Sequence, residues 1–375
     1  MVYVRNSFFS RFFLLFFSIT FLKVSLSAKE ASAKWTLSES SWHRGSGNFV
    51  TESREIKGVH GICLESPGAV HLEIGDKESL VVTADDNLLP FIKTDVDDGV
   101  LSLKFESGLV VVPSKSIVYH IVLKKINDFE ITRIGSITCN SDIYSETMQI
   151  VMGGGGTIKL GKLIADRCKM TIRGPGNINI DGVEVIKLFS ININGSGSLV
   201  AKDIMAGRFQ AEIRGNGSIK CNDIEIDRAI LLLLVGSACV ECKSLMAETA
   251  DFETRGGVIF SENNSINRKI TISAERGGVC NLLRIVTKKI ELNISKDSSV
   301  IFEGKTIDFD VKIDENGVCE ALELKSDQTY VSISESGRAR VWAQEKLVVE
   351  STADGIIEYR GDPRLLETTG KIKKV

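Results

Sequence analysis

Three carboxylates and a base, Asp308, Asp310, Asp314 and Lys312, fall within seven residues of a 375-residue chain. On an extended strand a spacing of two puts 308, 310 and 312 on one side. Acids and a basic residue sharing an outward face, with or without calcium, are what polysaccharide lyases and hydrolases on β-helices use. The plain alternative is a row of solubilising charges on a solvent-facing strand. Histidine chemistry is more restricted. The only imidazoles are His43, His60, His71 and His120, so nothing beyond residue 120 can complete a Ser-His-Asp or Cys-His arrangement or a His-rich zinc site. His60 and His71 sit near alternating segments and read as surface or edge residues.

Eight cysteines, at 63, 139, 168, 221, 239, 242, 280 and 319, would suit a disulfide set in an exported chain. Cys221 and Cys242, however, occupy equivalent places in successive repeats described below. Stacking would face both toward a core, where a thiol behaves as a small apolar group. Buried thiols, a Cys221–Cys242 bridge, and a redox or zinc role at Cys239-Val-Glu-Cys242 all remain open. The last lacks the helix N-terminus that would depress a thiol pKa.

Two surface features suggest binding. Arg173, Arg214, Arg255 and Arg276 each lie at or beside the residue before a glycine corner, so they are expected to align along one edge and hold carboxylate or phosphate polymers bidentately. The alternative is a row of solvated arginines paired with nearby acids. In residues 229–235, alternation is expected to send Ile230, Leu232 and Leu234 outward beside Phe189, as a partner patch, an oligomer contact or a surface under a covering loop.

These side chains are positioned by a repeat. Turn-forming residues recur at Gly135, Gly154, Gly174, Gly195, Gly215, Gly236, Gly256, Gly277, Asp297, Asn316, Ser336 and Gly355, with a mean interval of 20. In the four units from Gly174 to Gly236, offsets +4, +6, +9, +11 and +14 carry 20 apolar residues of 20, against about nine expected from a 43% apolar chain. Pairs two apart are the alternation of strands with one buried face. A leucine-rich repeat would add helices and an Asn column, and a hexapeptide helix would repeat at six. The pattern therefore predicts an all-β parallel β-helix of about 20 residues per coil, three short strands per coil, over 131–375. The coil from Gly256 reads weakest, with Glu262 interrupting it.

Upstream, residues 47–130 read as an N-terminal β region leading into the solenoid, and 29–46 as a linker. Residues 1–28 read as a signal peptide: Arg5 and Arg11, then an apolar core over 12–22, then small residues before a cleavage site at Ser27 or Ala28. That core is far short of the roughly 20 residues of a spanning helix, and no later run exceeds seven, so no transmembrane span is expected after cleavage. Lys plus Arg (46) against Asp plus Glu (49) gives net charge -3, or -6 after removal of residues 1–28, which argues against nucleic acid as a partner.

The segment from Ser53 to Lys104 contains Asp85-Asp86-Asn87-Leu88-Leu89-Pro90, repeated Gly-x-Gly units follow, and Glu358-Tyr359-Arg360-Gly361-Asp362-Pro363 closes the pattern. This order resembles the bacterial GIN domain, an autotransporter adhesin head, over about residues 47–375. The resemblance implies a right-handed parallel β-helix in an exported protein and carries over no catalytic residues. No C-terminal alternating barrel region is visible. The expectation is an exported, non-enzymatic, adhesin-like binding or scaffold module, in the periplasm, on the outer surface or secreted. It would act without cofactor or metal on an acidic glycan or another envelope or surface protein. The alternatives are a carbohydrate-active enzyme on the same fold and a structural envelope protein that stacks end to end.

Overall fold

The computed structural model describes residues 42–352 and 354–375, so the expected signal peptide and most of the linker lie outside the described residues. The chain divides into two units. In the first, Trp42–Arg44 pairs in parallel with Val110–Val112. The second, residues 45–106 and 113–375, is an all-β solenoid of about 12 turns.

Each coil stacks in register on the next. The expected short strands join into bent runs such as Asn177–Gly195, Cys239–Arg255 and Val258–Glu275. Pairing shifts register at a bend within each run, as between Val185 and Phe189, and breaks at the glycine corner. Those corners need glycine for two reasons. Gly215 has φ +104, and a Cβ there would meet the Gly195 carbonyl oxygen at 2.8 Å; a Cβ on Gly217 would meet Ile193 Cγ2 at 2.5 Å.

Inward columns stack like on like. Ile178, Leu199, Ile219 and Val240 form one, and Val183, Ile204, Ile224 and Leu245 another, all nearly inaccessible. The third strand departs from the expected pattern. Ile230, Leu232 and Leu234 are core residues, at most 1% exposed, and Phe189 is buried and stacked on Phe209 with ring centroids 5.2 Å apart. The expected outward patch is therefore incorrect. Coils of 21 residues, starting at Gly174 and Gly215, carry one more residue before the third strand than the 20-residue coils between them. In register, Phe189 pairs with Phe209 and Phe209 with Ile230, so the inward residue moves from +14 to +15 in the longer coils. A slip of one residue inverts every side chain on a strand. Leu231, Leu233 and Val235 take the outward side instead, and only Leu231 is well exposed, at 41%.

The weak coil resolves the same way. Glu262 does not enter the core. Ile259, Ser261, Asn264 and Ile266 point inward, one residue out of step with the expected offsets. Asn264 Nδ2 donates to the carbonyls of Ser261 (3.2 Å) and Leu283 (2.8 Å).

Antiparallel strands close the N-terminal end of the solenoid. Ile92–Asp97 pairs antiparallel with Val100–Phe105, which leads in parallel to Gly61–Leu64 and Asp128–Ile131. Phe49–Arg54 and Ser79–Asp85 cover the neighbouring ladder. The Asp-Asp-Asn-Leu-Leu-Pro segment fastens this cap. Asp85 accepts from the Gly47 amide at 2.8 Å, and Asp86 accepts from Ser46 Oγ (2.5 Å) and Asn48 Nδ2 (2.8 Å). Arg54 donates to the carbonyls of Leu89 and Ile92. Covered edges of this kind keep sheet ends from pairing with other chains.

Candidate functional site

Outward side chains line up in columns along the solenoid because the coils are in register. On the third strand Gln210, Leu231 and Asp251 form one column, Glu212, Leu233 and Glu253 the next, and Arg214, Val235 and Arg255 the third. An apolar rung thus lies between two charged rungs.

The arginine edge is not an open row. Arg173, Arg214, Arg255 and Arg276 are all exposed. Val235 separates Arg214 from Arg255, however, and the coil after Arg255 places Glu275 in the column, with Arg276 one residue beyond at φ 55. Arg214 Nε lies 2.6 Å from Glu212 Oε1, and an Arg255 guanidinium nitrogen lies 2.5 Å from Glu253 Oε1. Two of the four guanidinium groups are therefore neutralised within their own strands.

Asp308, Asp310 and Lys312 flank the buried Phe309 and Val311, and Asp310 and Lys312 line an open groove of about 430 Å³. The acids do not converge. Asp310 lies 3.0 Å from Lys289, which also bridges to Glu291 at 3.0 Å. Hydrogen bonds to Asp310 and Glu291 hold the Lys289 ammonium above the usual lysine range. Glu291, taking bonds from Lys269 and Lys289, sits below the usual carboxylate range. Asp314 lies past Ile313 in the turn and accepts a bond from the Ser334 hydroxyl. Among the described residues, no three His, Cys, Asp or Glu side chains are grouped to hold a metal ion.

All eight cysteines are thiols. Cys221 and Cys242 continue the pairing of Lys220 with Glu241 and are both buried. A hydrogen bond between the two thiols, together with burial, raises Cys221 above the usual thiol range. Cys280 and Cys319 flank Val300 in another inward column. His71 stacks on His120 at 5.2 Å near the solenoid's N-terminal end, and His60 Nδ1 lies 3.2 Å from Asn127 Oδ1.

A corner not anticipated from the sequence gathers four cations, three of them without an ion pair among the described residues. Where the second strand bends into the third, Arg167, Lys187, Arg208 and Arg228 come from four consecutive coils and line one groove of about 660 Å³. The apparent irregularity of the repeat length was the available signal, since the extra residue of the 21-residue coils falls at this bend.

Among known proteins, the family model described as "Putative auto-transporter adhesin, head GIN domain" matches residues 60–230 and 239–363. The chain belongs to the GIN-domain family. The GIN match spans both the capped end and nearly the whole solenoid. Several solved structures share a weaker likeness. A protein from Bacteroides fragilis described as a putative adhesin is 17% identical over 66% of this chain and 99% of its own, with TM-score 0.47. One from Parabacteroides merdae, described in the same words, is 14% identical over 89% of this chain and 99% of its own, with TM-score 0.30. A third, from Parabacteroides distasonis, is described as a putative lipid binding protein. It is 17% identical over 89% of this chain and 99% of its own, with TM-score 0.28. No curated protein matches the GIN-domain chain in sequence.

Proposed function

We propose that this GIN-domain protein is an exported, non-enzymatic binding module that acts at the cell envelope or outside the cell, with the outward faces of its solenoid as the contact surface. Membership of an adhesin-head family is the observation that carries the reading. The faces suit it: coils in register repeat the same outward positions at about 4.8 Å intervals, and so offer an extended partner a repeating series of contacts. No helix among the described residues is long and apolar enough to cross a membrane.

The lyase or hydrolase alternative is less well supported by the geometry. Asp310 is committed to Lys289 and Asp314 to a turn, so the Asp308 to Asp314 group does not present acid and base to one bond. Labelled protein applied to intact cells and to envelope extracts tests the binding reading. Saturable retention that survives heat treatment of the target but falls after glycan removal would identify a surface glycan as partner. Retention lost after protease treatment would identify a surface protein. Absence of saturable binding to any envelope fraction would overturn the reading.

A further inference from the structure

We propose that the bend groove lined by Arg167, Lys187, Arg208 and Arg228 binds an acidic polysaccharide lying along the solenoid axis. The proposal rests on the binding-module reading and names its ligand class and location. Each coil contributes one cation. In the 20-residue coils the cation precedes the inward residue of the third strand directly: Arg167 before Cys168 and Arg208 before Phe209. In the 21-residue coils the additional residue lifts Lys187 and Arg228 out at the bend, two positions before Phe189 and Ile230. The alternation of coil lengths, which inverted the expected hydrophobic patch, thus builds a continuous basic corner.

Elsewhere on the solenoid a number of cations are ion-paired, including Lys162 with Glu184, Lys220 with Glu241 and Arg340 with Glu320 and Glu358. In the groove only Lys187 is paired, with Asp166 at 2.5 Å. Arg167, Arg208 and Arg228 make no ion pair among the described residues, and Asp227 is the only carboxylate lining the groove. Like charges on neighbouring coils are unfavourable unless something anionic lies between them. Free guanidinium groups are suited to gripping carboxylate or sulfate bidentately. The same groove exposes Ile186 (63%) and Leu231 (41%), apolar surface against which the C–H faces of sugar rings can lie.

One charge per coil, at about 4.8 Å, matches a glycan with one acidic group per sugar better than a denser polyphosphate. A net charge of -3 and four clustered cations also fall short of the six to ten phosphate contacts, roughly, of a nucleic-acid binder.

The test uses the full chain on immobilised polygalacturonate at low salt, with dextran as the neutral control. Wild type should be retained by polygalacturonate alone and released as salt rises, because exposed charges are screened. Combined Arg167→Ser, Arg208→Ser and Arg228→Ser should weaken retention by roughly tenfold, the sum expected of three exposed ion pairs. Arg208→Glu alone, a single exposed change that leaves the core untouched, should also weaken it. Arg214→Ser with Arg255→Ser should change it by less than about twofold, since their charges are already paired. Unchanged retention in the groove variants, or an equal loss in the Arg214 and Arg255 variant, would overturn the assignment. So would stronger binding to DNA or anionic vesicles than to polygalacturonate. Wild type that ignores polygalacturonate yet binds cells would sink this proposal alone, whereas failure to bind any envelope fraction would remove the function beneath it.

Discussion

Asp85 takes two hydrogen bonds from Ser114, 2.6 Å from the hydroxyl and 3.0 Å from the amide, inside the cap at the solenoid's N-terminal end. Burial would raise the Asp85 pKa, but the Ser114 and Gly47 donors outweigh it and hold the carboxyl below its usual range. A depressed carboxylate stabilises the fold above its unfolded pKa, near 3.9, and that contribution is lost as pH falls through the folded value. Asp85→Ala should therefore cost about 2 kcal/mol at neutral pH, because three donors lose their acceptor. Urea midpoints at pH 7 and pH 3 check this. The gap between wild type and variant should narrow in acid, and a gap that widened would contradict the assigned role.

The register of the third strand can be tested at adjacent residues. Leu232 is 0% exposed and Leu231 41%. Leu232→Lys should cost several kcal/mol through an unpaired buried charge. Leu231→Lys, between Gln210 and Asp251 in register, should stay within about 0.5 kcal/mol. Thermal melts of both variants decide between the parities, and a larger loss for Leu231→Lys than for Leu232→Lys would restore the outward assignment of Leu232.

Thiol reactivity should be low in the folded chain. Burial and the nearby Glu130 push the half-exposed Cys63 up to about 12, and burial pushes Cys168, Cys280 and Cys319 higher still. At pH 8 about one Cys63 in ten thousand would be thiolate, so iodoacetamide should label it slowly. Mass spectrometry of labelled protein should show eight modified cysteines only after denaturation without reductant. Six would mean that one pair, Cys221 with Cys242 being nearest to hand, had formed a bridge.

Export predicts a mature N-terminus near Ala28 or Lys29, from the Arg5, Arg11 and apolar 12–22 pattern. Mass spectrometry of envelope and medium fractions should find it. Intact Met1 in a membrane pellet would point to an uncleaved anchor.

The sequence by itself determined the solenoid and its approximate period, because alternation within a strand is local: Ile178 and Ile180, or Ile224 and Ile226, announce their buried face two residues at a time. It also supplied the family, through the Asp85 to Pro90 segment. It did not disclose that this segment works as a fastening for the cap, because its donors at Ser46, Gly47, Asn48 and Ser114 are remote in the chain. Two further matters were decided only by stacking. The facing of Ile230, Leu232 and Leu234 depends on where a single additional residue is absorbed, which inter-coil pairing with Phe209, Ala211 and Ile213 alone fixes. Which cations remain free depends on partners about one coil away, as Lys187 with Asp166, and on pairs such as Arg214 with Glu212 that form only when both side chains share an outward face. Local pattern fixes the strand, but the phase between strands and the pairing of charges across coils are properties of the packed solenoid.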